Sequence, residues 1–244
     1  MNTILKKDAG TKSKVFISFV LDESSSMSIG KDAIESGMNE QISTIKKRFG
    51  DGLVEPVVSF VKFNHEVSSL YEGKTLDDLV EFEKGMYSPN GMTALYDAVG
   101  YTLDKMEKMD GIKDEGNSAL LVVITDGEEN SSRKYNASQI SERITALGKT
   151  EKWTITYLGP NDVDLSKVQQ NTRISSGNMY SADLTSNIGY SNAFRSVNTG
   201  LNHFADNLQF AAISGCSYSS KSFYNDTSSV ESKTDPDDVN KVIS

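Results

Sequence analysis

The chain has 244 residues, of which 37% are hydrophobic and 24% charged, and it carries a net charge of −9. These proportions fit one α/β domain with some surplus better than two full domains. The negative charge argues against nucleic acid or an anionic membrane surface as a partner, and the single cysteine, Cys216, excludes an internal disulfide.

The N-terminal segment, residues 1–12, is polar and lacks the apolar stretch of a secretory signal. No run in the chain approaches the roughly 18 apolar residues that a membrane span requires. We therefore expect residues 1–12 to form a flexible arm and the protein to be cytoplasmic.

Four near-continuous apolar runs, rich in β-branched and aromatic residues, are typical of strands covered on both faces of a sheet. They are residues 15–21, 57–63, 119–125 and 153–158. Apolar residues recur at helical spacing in 34–49, 95–106, 140–147 and 194–208. This alternation of strands and helices predicts a doubly wound, three-layer α/β/α fold with a central parallel sheet.

Two shorter segments extend the predicted sheet. Residues 67–71 follow the second apolar run after a link short enough for a hairpin, and residues 179–182 have the composition of a last short strand. Beyond residue 213 the sequence becomes rich in Ser, Asp, Asn and Lys, with too little apolar area to offset the entropy of ordering. We expect a domain over 13–213 and a polar, disordered tail over 214–244.

Oxygen-bearing side chains follow two of the predicted strands. Asp22, Ser24 and Ser26 come after the first apolar run, and Asp126 comes after the third. Alternate residues of an extended chain point to the same side, so the first three side chains would converge if the chain stayed extended. Hydroxyls and carboxylates suit a hard cation, Mg²⁺ first and Mn²⁺ or Ca²⁺ as substitutes.

A third segment completes the predicted site. The loop over residues 87–95 contains turn-forming residues and places Thr93 directly ahead of a helical pattern. Thr93 is a natural helix N-cap, and its hydroxyl would then be exposed on the loop.

These three pieces, Asp22-x-Ser24-x-Ser26, Thr93 and Thr125-Asp126-Gly127, resemble the metal-ion-dependent adhesion site of the von Willebrand factor type A (vWA) domain. The resemblance covers roughly residues 13–210 in element order. The sequences of residues 93–98 and 125–132 most resemble those of stand-alone cytoplasmic members of the family in bacteria and their phages.

The resemblance implies a mostly parallel sheet with one antiparallel edge strand. It also implies that Ser24, Ser26 and Thr93 offer hydroxyls to the metal, while Asp22 and Asp126 act mainly through water. A cation with few bound carboxylates keeps positive charge, so it attracts an Asp or Glu of a partner protein. The function implied is metal-dependent protein binding, without catalysis.

Two enzyme classes are alternatives to metal-dependent protein binding, and the residues present disfavour both. A Mg²⁺-dependent phosphohydrolase with Asp22 as nucleophile would carry a second acid two positions later, where this chain has Ser24, which cannot transfer protons near neutral pH. A serine hydrolase needs a positioned base, and His65 and His203 are poorly placed candidates. A phage virion or assembly component that docks through the domain, and a partner ATPase, both stay open.

Overall fold

A computed structural model describes residues 12–224. Its strands are β1 (Ser13–Asp22), β2 (Val54–Phe63), β3 (Val67–Lys74), β4 (Ser118–Ile124), β5 (Trp153–Pro160) and β6 (Met179–Ala182). Its α-helices are α1 (Lys31–Phe49), α2 (Leu95–Met106), α3 (Ala137–Gly148), α4 (Leu165–Thr172) and α5 (Asn187–Ile213). Short 3₁₀ helices span Ser25–Gly30 and Ser176–Asn178.

The strands form one six-stranded sheet in the order β3-β2-β1-β4-β5-β6. Every neighbouring pair is parallel except β2 and β3, which are antiparallel. All seven residues of β4 are buried, as expected of an apolar strand in the middle of a sheet with helices on both faces. The predicted doubly wound fold and its antiparallel edge strand are confirmed.

Two hydrophobic cores lie on opposite faces of the sheet. The first contains apolar residues of α1 and α5, including Ile34, Met38 and Phe194. The second contains those of α2 and α3, including Leu103 and Ile140. The four predicted helices, α1, α2, α3 and α5, bury the apolar stripes that their sequences predict, whereas the short α4 buries only Thr172 and is not marked by such a stripe. The loops between strands and helices lie at the two ends of the sheet.

The segment after α5 packs against the domain as far as the structure describes it. We call residues 217–224 the C-terminal strap. Phe223 and Tyr224 are only 3% and 4% exposed, and the ring of Phe223 packs at a tilt near Phe204 of α5, with ring centroids 6.5 Å apart. The ordered domain therefore continues beyond residue 213, where the polar tail was expected to begin, because these two aromatic residues bury apolar area.

The expected N-terminal arm and the rest of the predicted tail, residues 1–11 and 225–244, lie outside the described residues. Across 12–224, no helix has both the length and the apolar character needed to cross a membrane.

Candidate metal centre

The candidate site lies at the carboxyl ends of β1 and β4, which are neighbours in the middle of the sheet. Asp22 is the last residue of β1, and Thr125 and Asp126 come directly after β4. The two strands run parallel with Leu21 opposite Ile124, so the residues that follow them meet at one edge. In open α/β sheets this edge is where ligands bind.

Asp22 is fully buried, and both oxygens of its carboxylate accept hydrogen bonds. Oδ1 accepts from the backbone N–H of Ser24 at 2.7 Å, and Oδ2 accepts from Thr125 Oγ1 at 2.6 Å. Burial, with a smaller contribution from the nearby charge of Asp126, raises the pKa of Asp22 to about 6, although the hydrogen bonds from Thr125 and Ser24 oppose the shift. A buried carboxyl group with a raised pKa is thus the central electrostatic feature of the site.

Ser24, Ser26 and Asp126 form a continuous chain of hydrogen bonds. Ser24 Oγ lies 3.1 Å from Ser26 Oγ, and Ser26 Oγ donates to Asp126 Oδ1 at 2.6 Å. The two serines do not meet by staying extended, as the alternation predicted. The chain turns into the 3₁₀ helix Ser25–Gly30, and this turn folds Ser26 back towards Ser24 and Asp126.

The sequence predicts that Thr93 is the N-cap of α2, and this prediction is wrong. The helix begins at Leu95 with Ala94 at the N-cap position, and side chains of the β4–α3 loop, Glu129 and Ser132, accept from the N–H groups of its first turn. Thr93 instead joins the β4–α3 loop: its N–H donates to Asn130 Oδ1 at 2.9 Å, and its carbonyl accepts from the N–H of Asn130 at 3.0 Å. Its hydroxyl is therefore free of a capping role.

Gly127 shows how close the Thr93 hydroxyl lies to the other oxygens. A Cβ atom placed on Gly127 would lie 3.3 Å from Thr93 Oγ1 and 4.0 Å from Ser26 Oγ. Two hydroxyls from separate loops thus border the same small space beside Asp126. The structure places all five predicted residues, Asp22, Ser24, Ser26, Thr93 and Asp126, at this edge.

Two buried tyrosines support the site, and neither is among the five residues predicted for it. Tyr190 of α5 donates its hydroxyl to Asp126 Oδ2 at 2.8 Å, and Tyr87 donates to the carbonyl of Asp22 at 2.6 Å. Gly30 allows the first contact, because a Cβ there would lie 2.2 Å from the Tyr190 ring. Burial, followed by the charge of Asp126, raises the pKa of Tyr190, so this hydroxyl stays a donor.

Glu23 ties the loop before α2 to the site. Its Oε1 accepts from Lys62 Nζ at 2.9 Å and from the N–H of Ser88 at 2.5 Å. The carbonyl of Glu23 accepts from the N–H of Asn90, and the N–H of Ser25 donates to the carbonyl of Gly91. These contacts hold the loop that carries Thr93 against the residues that follow β1.

Glu128 and Glu129 follow the Thr-Asp-Gly segment but differ in placement. Glu129 Oε2 accepts from the N–H of Tyr96 at 3.0 Å, in the first turn of α2, and Oε1 accepts from the N–H groups of Ser131 and Ser132. A helix N-terminus stabilises such a charge. Glu128 is exposed and makes no hydrogen bond or ion pair with any residue in 12–224.

The donor set fits a hard cation. Among the described residues, no group of three or more His, Cys, Asp or Glu is placed to hold a metal ion. An ion at this edge would therefore rely on hydroxyls together with the two carboxylates of Asp22 and Asp126. An all-oxygen set with few charged ligands suits Mg²⁺, Mn²⁺ or Ca²⁺ better than softer metals.

A doubly wound sheet with polar side chains gathered at its carboxyl edge is typical of α/β domains that bind a ligand there. The family model for the von Willebrand factor type A domain matches residues 17–193. The chain belongs to this family.

Solved structures with a similar fold share little sequence with this chain. A von Willebrand factor type A protein from Catenulispora acidiphila matches with a TM-score of 0.53 and 12% identity, over 79% of this chain and 43% of that chain. The vWF domain of the type V pili tip protein Mfa5 from Porphyromonas gingivalis matches with a TM-score of 0.52 and 10% identity, over 79% of this chain and 96% of that chain.

A variant of the PilB minor pilin from Streptococcus sanguinis matches with a TM-score of 0.51 and 13% identity, over 84% of this chain and 64% of that chain. Similarity at these identities shows a shared fold and nothing finer. The chain spans less than half the length of several solved structures that it matches. A comparison with curated proteins finds no match.

Proposed function

We propose that this chain is a metal-dependent protein-binding module. Ser24, Ser26 and Thr93 would offer hydroxyls to a divalent cation, Mg²⁺ in the first place, and Asp22 and Asp126 would act through water. The observation that carries the proposal is the convergence of hydroxyls from two separate loops beside Asp126, next to the buried carboxylate of Asp22.

The partner would be a protein that presents an Asp or Glu. A cation held mainly by neutral hydroxyls keeps most of its positive charge, so it attracts a carboxylate at an open coordination position. Membership of the vWA family, and a similar fold in a pilus tip protein, support an interaction module over an enzyme. An ATPase or an assembly component as partner, a bacterial or phage origin and cytoplasmic residence stay predictions.

The geometry around Asp22 also argues against a phosphohydrolase. A nucleophilic carboxylate must reach its substrate, but Asp22 is 0% exposed and both of its oxygens accept hydrogen bonds. Ser24, at the position of the missing acid, lies within the same hydrogen-bond chain. We infer that the metal serves binding and that the chain is not an enzyme.

The proposal is tested by capture of partners from the native host with Mg²⁺ or with a chelator, beside Thr93→Ala. Because the Thr93 hydroxyl makes no cap, its loss should leave folding nearly unchanged and weaken metal-dependent capture strongly. Thr185→Ala, an exposed hydroxyl next to α5, is the matched control and should retain the partner. A partner retained equally with chelator and by Thr93→Ala would show that binding uses another surface.

A further inference from the structure

A cleft of about 260 Å³ opens beside the candidate metal centre, between the start of α2, the β4–α3 loop and α4. Gly127 lines it, and the same residue borders Thr93 Oγ1, so the cleft and the candidate metal site share a wall. A partner chain that places a carboxylate at the metal would therefore pass the mouth of this cleft.

The charge of the cleft is predominantly negative. Its lining residues include Glu128, Glu129 and Asp164, against the single ammonium of Lys167. Glu129 accepts hydrogen bonds from the backbone N–H groups of Tyr96, Ser131 and Ser132. Asp164 is the N-cap of α4, and its Oδ1 accepts from the N–H of Ser166 at 2.9 Å. Glu128 alone is exposed without a partner among residues 12–224, so it is free to meet an incoming cation.

About half of the residues that line the cleft are aromatic or aliphatic. Tyr96, Tyr157, Leu95 and Val168 line it. Tyr157 is only 2% exposed, yet its hydroxyl makes no hydrogen bond with any of the described residues. Burial and then the charges of Asp22 and Glu128 raise its pKa, which places this unpartnered donor in the field of both the metal site and the cleft.

We propose that this cleft binds the side chain of a Lys or Arg that lies one or two residues from the partner's metal-binding carboxylate. The inference rests on the proposed function. An aliphatic stem would pack on Tyr96 and Val168, which are partly exposed, and the cationic head would meet Glu128. An extended chain advances about 3.3 Å per residue, which suits a cleft that shares a wall with the metal site.

A metal ion is the wrong occupant for the cleft. Its carboxylates belong to no group of three or more His, Cys, Asp or Glu placed to hold a metal within residues 12–224. The apolar walls also favour an organic cation, because they would desolvate an inorganic ion without offering it ligands. Lys167 at the rim leaves charge for one such side chain and disfavours a second.

The test uses the full chain and immobilised seven-residue peptides, each with one central Asp and one neighbouring position varied among Lys, Arg, Gln and Met. Retention is measured with Mg²⁺ and with chelator. With Mg²⁺, Lys and Arg peptides should retain roughly threefold more protein than Met peptides, the effect of a partly exposed ion pair.

Glu128→Gln should remove this preference, and Lys167→Met should strengthen it. Glu115→Gln is the matched control: Glu115 is exposed and precedes β4 at the opposite end of the sheet, so its loss should change nothing.

Three outcomes would overturn the inference, and they are distinguishable. Metal-dependent retention of Asp peptides without a preference for Lys or Arg would remove the cleft and leave the proposed function standing. A preference that persists in chelator would show that the cleft acts independently of the metal. Equal retention of every peptide with Mg²⁺ and with chelator would contradict the proposed function and this inference together.

Discussion

The domain contains two buried polar networks of opposite character. At the carboxyl ends of β1 and β4, the network is built on the carboxylates of Asp22 and Asp126. On the face of the sheet that carries α5, a second network joins the C-terminal strap to β5 and to the 3₁₀ helix Ser176–Asn178. There Asn178 Nδ2 donates to the carbonyl of Ser220 at 2.7 Å, and Asn178 Oδ1 accepts from the N–H of Phe223 at 2.9 Å.

The two networks differ in charge, and we infer from this difference that the strap network stabilises the fold while the network at β1 and β4 serves ligand binding. The strap network uses only neutral groups, including a bond from the N–H of Ser220 to Thr154 Oγ1 at 2.7 Å, and needs nothing from outside the chain. Asp22 is a buried carboxyl group whose ionisation costs free energy, and its pKa is therefore raised to about 6, mainly by burial. A cation at the site would relieve that cost, whereas the strap has no such need.

The largest expected effect comes from a substitution that disrupts the packing of the strap and leaves the candidate metal centre unchanged. Phe223→Ala removes a buried ring that packs near Phe204, so we expect the free energy of unfolding to fall by about 3–5 kcal/mol. Phe210→Ala, on an α5 residue that is 76% exposed, is the control and should change it little. Urea unfolding measures both, and the increment of stability from Mg²⁺ should stay as in the parent.

The next largest effect is the pH dependence that Asp22 contributes to the free energy of unfolding. Its pKa is raised from 3.8 to about 6 in the folded protein. The unfolded chain therefore releases this proton first, and its contribution to stability is full below about pH 4 and is lost as pH rises through about 6. The loss amounts to at most about 3 kcal/mol, from roughly two pKa units of 1.36 kcal/mol each.

Asp22→Asn should abolish this pH dependence in chelator and gain on the parent as pH rises from about 4 to about 7. Urea unfolding of both proteins in chelator measures the difference, with the exposed Asp162→Asn as control. A parent whose stability relative to Asp22→Asn is the same at both pH values would show that Asp22 is not a strained buried charge.

The smallest effect compares one hydroxyl in each network. Tyr190→Phe removes the donor to Asp126 Oδ2, and we expect Mg²⁺ affinity to fall by about tenfold, as is typical when a group that orients a metal ligand is lost. Tyr224→Phe removes a hydroxyl from the strap and should leave Mg²⁺ affinity unchanged. Calorimetric titration of both variants checks this, and equal affinities would mean that Tyr190 does not orient Asp126.

Most of the fold was predictable because each central strand is one apolar run and each of the helices α1, α2, α3 and α5 carries one apolar stripe, whereas the short α4 buries only Thr172 and was not predicted. Residues 15–21 and 119–125 identify neighbouring buried strands, and Asp22 and Asp126 stand where those strands end. The parts of the site that depend on local sequence were therefore accessible, including the separate loop that carries Thr93.

Features that depend on distant contacts were not accessible from local sequence. The contact of Tyr190 with Asp126 requires α5 to return to the site, and the apolar seam of α5 does not mark Tyr190 as a donor. The strap was missed because its polar composition hides the buried Phe223 and Tyr224. A clue was present in Thr154, a polar residue inside an apolar strand, which accepts a hydrogen bond from the strap.

The most direct measurement is a calorimetric titration of the full chain with Mg²⁺, beside Asp126→Ala and the exposed control Asp162→Ala. We expect the parent and Asp162→Ala to bind one Mg²⁺ weakly, because neutral hydroxyls supply most of the ligands. Asp126→Ala should stay folded and bind none. Equal Mg²⁺ binding by Asp126→Ala and the parent, or no binding by the parent, would contradict a metal centre at the ends of β1 and β4.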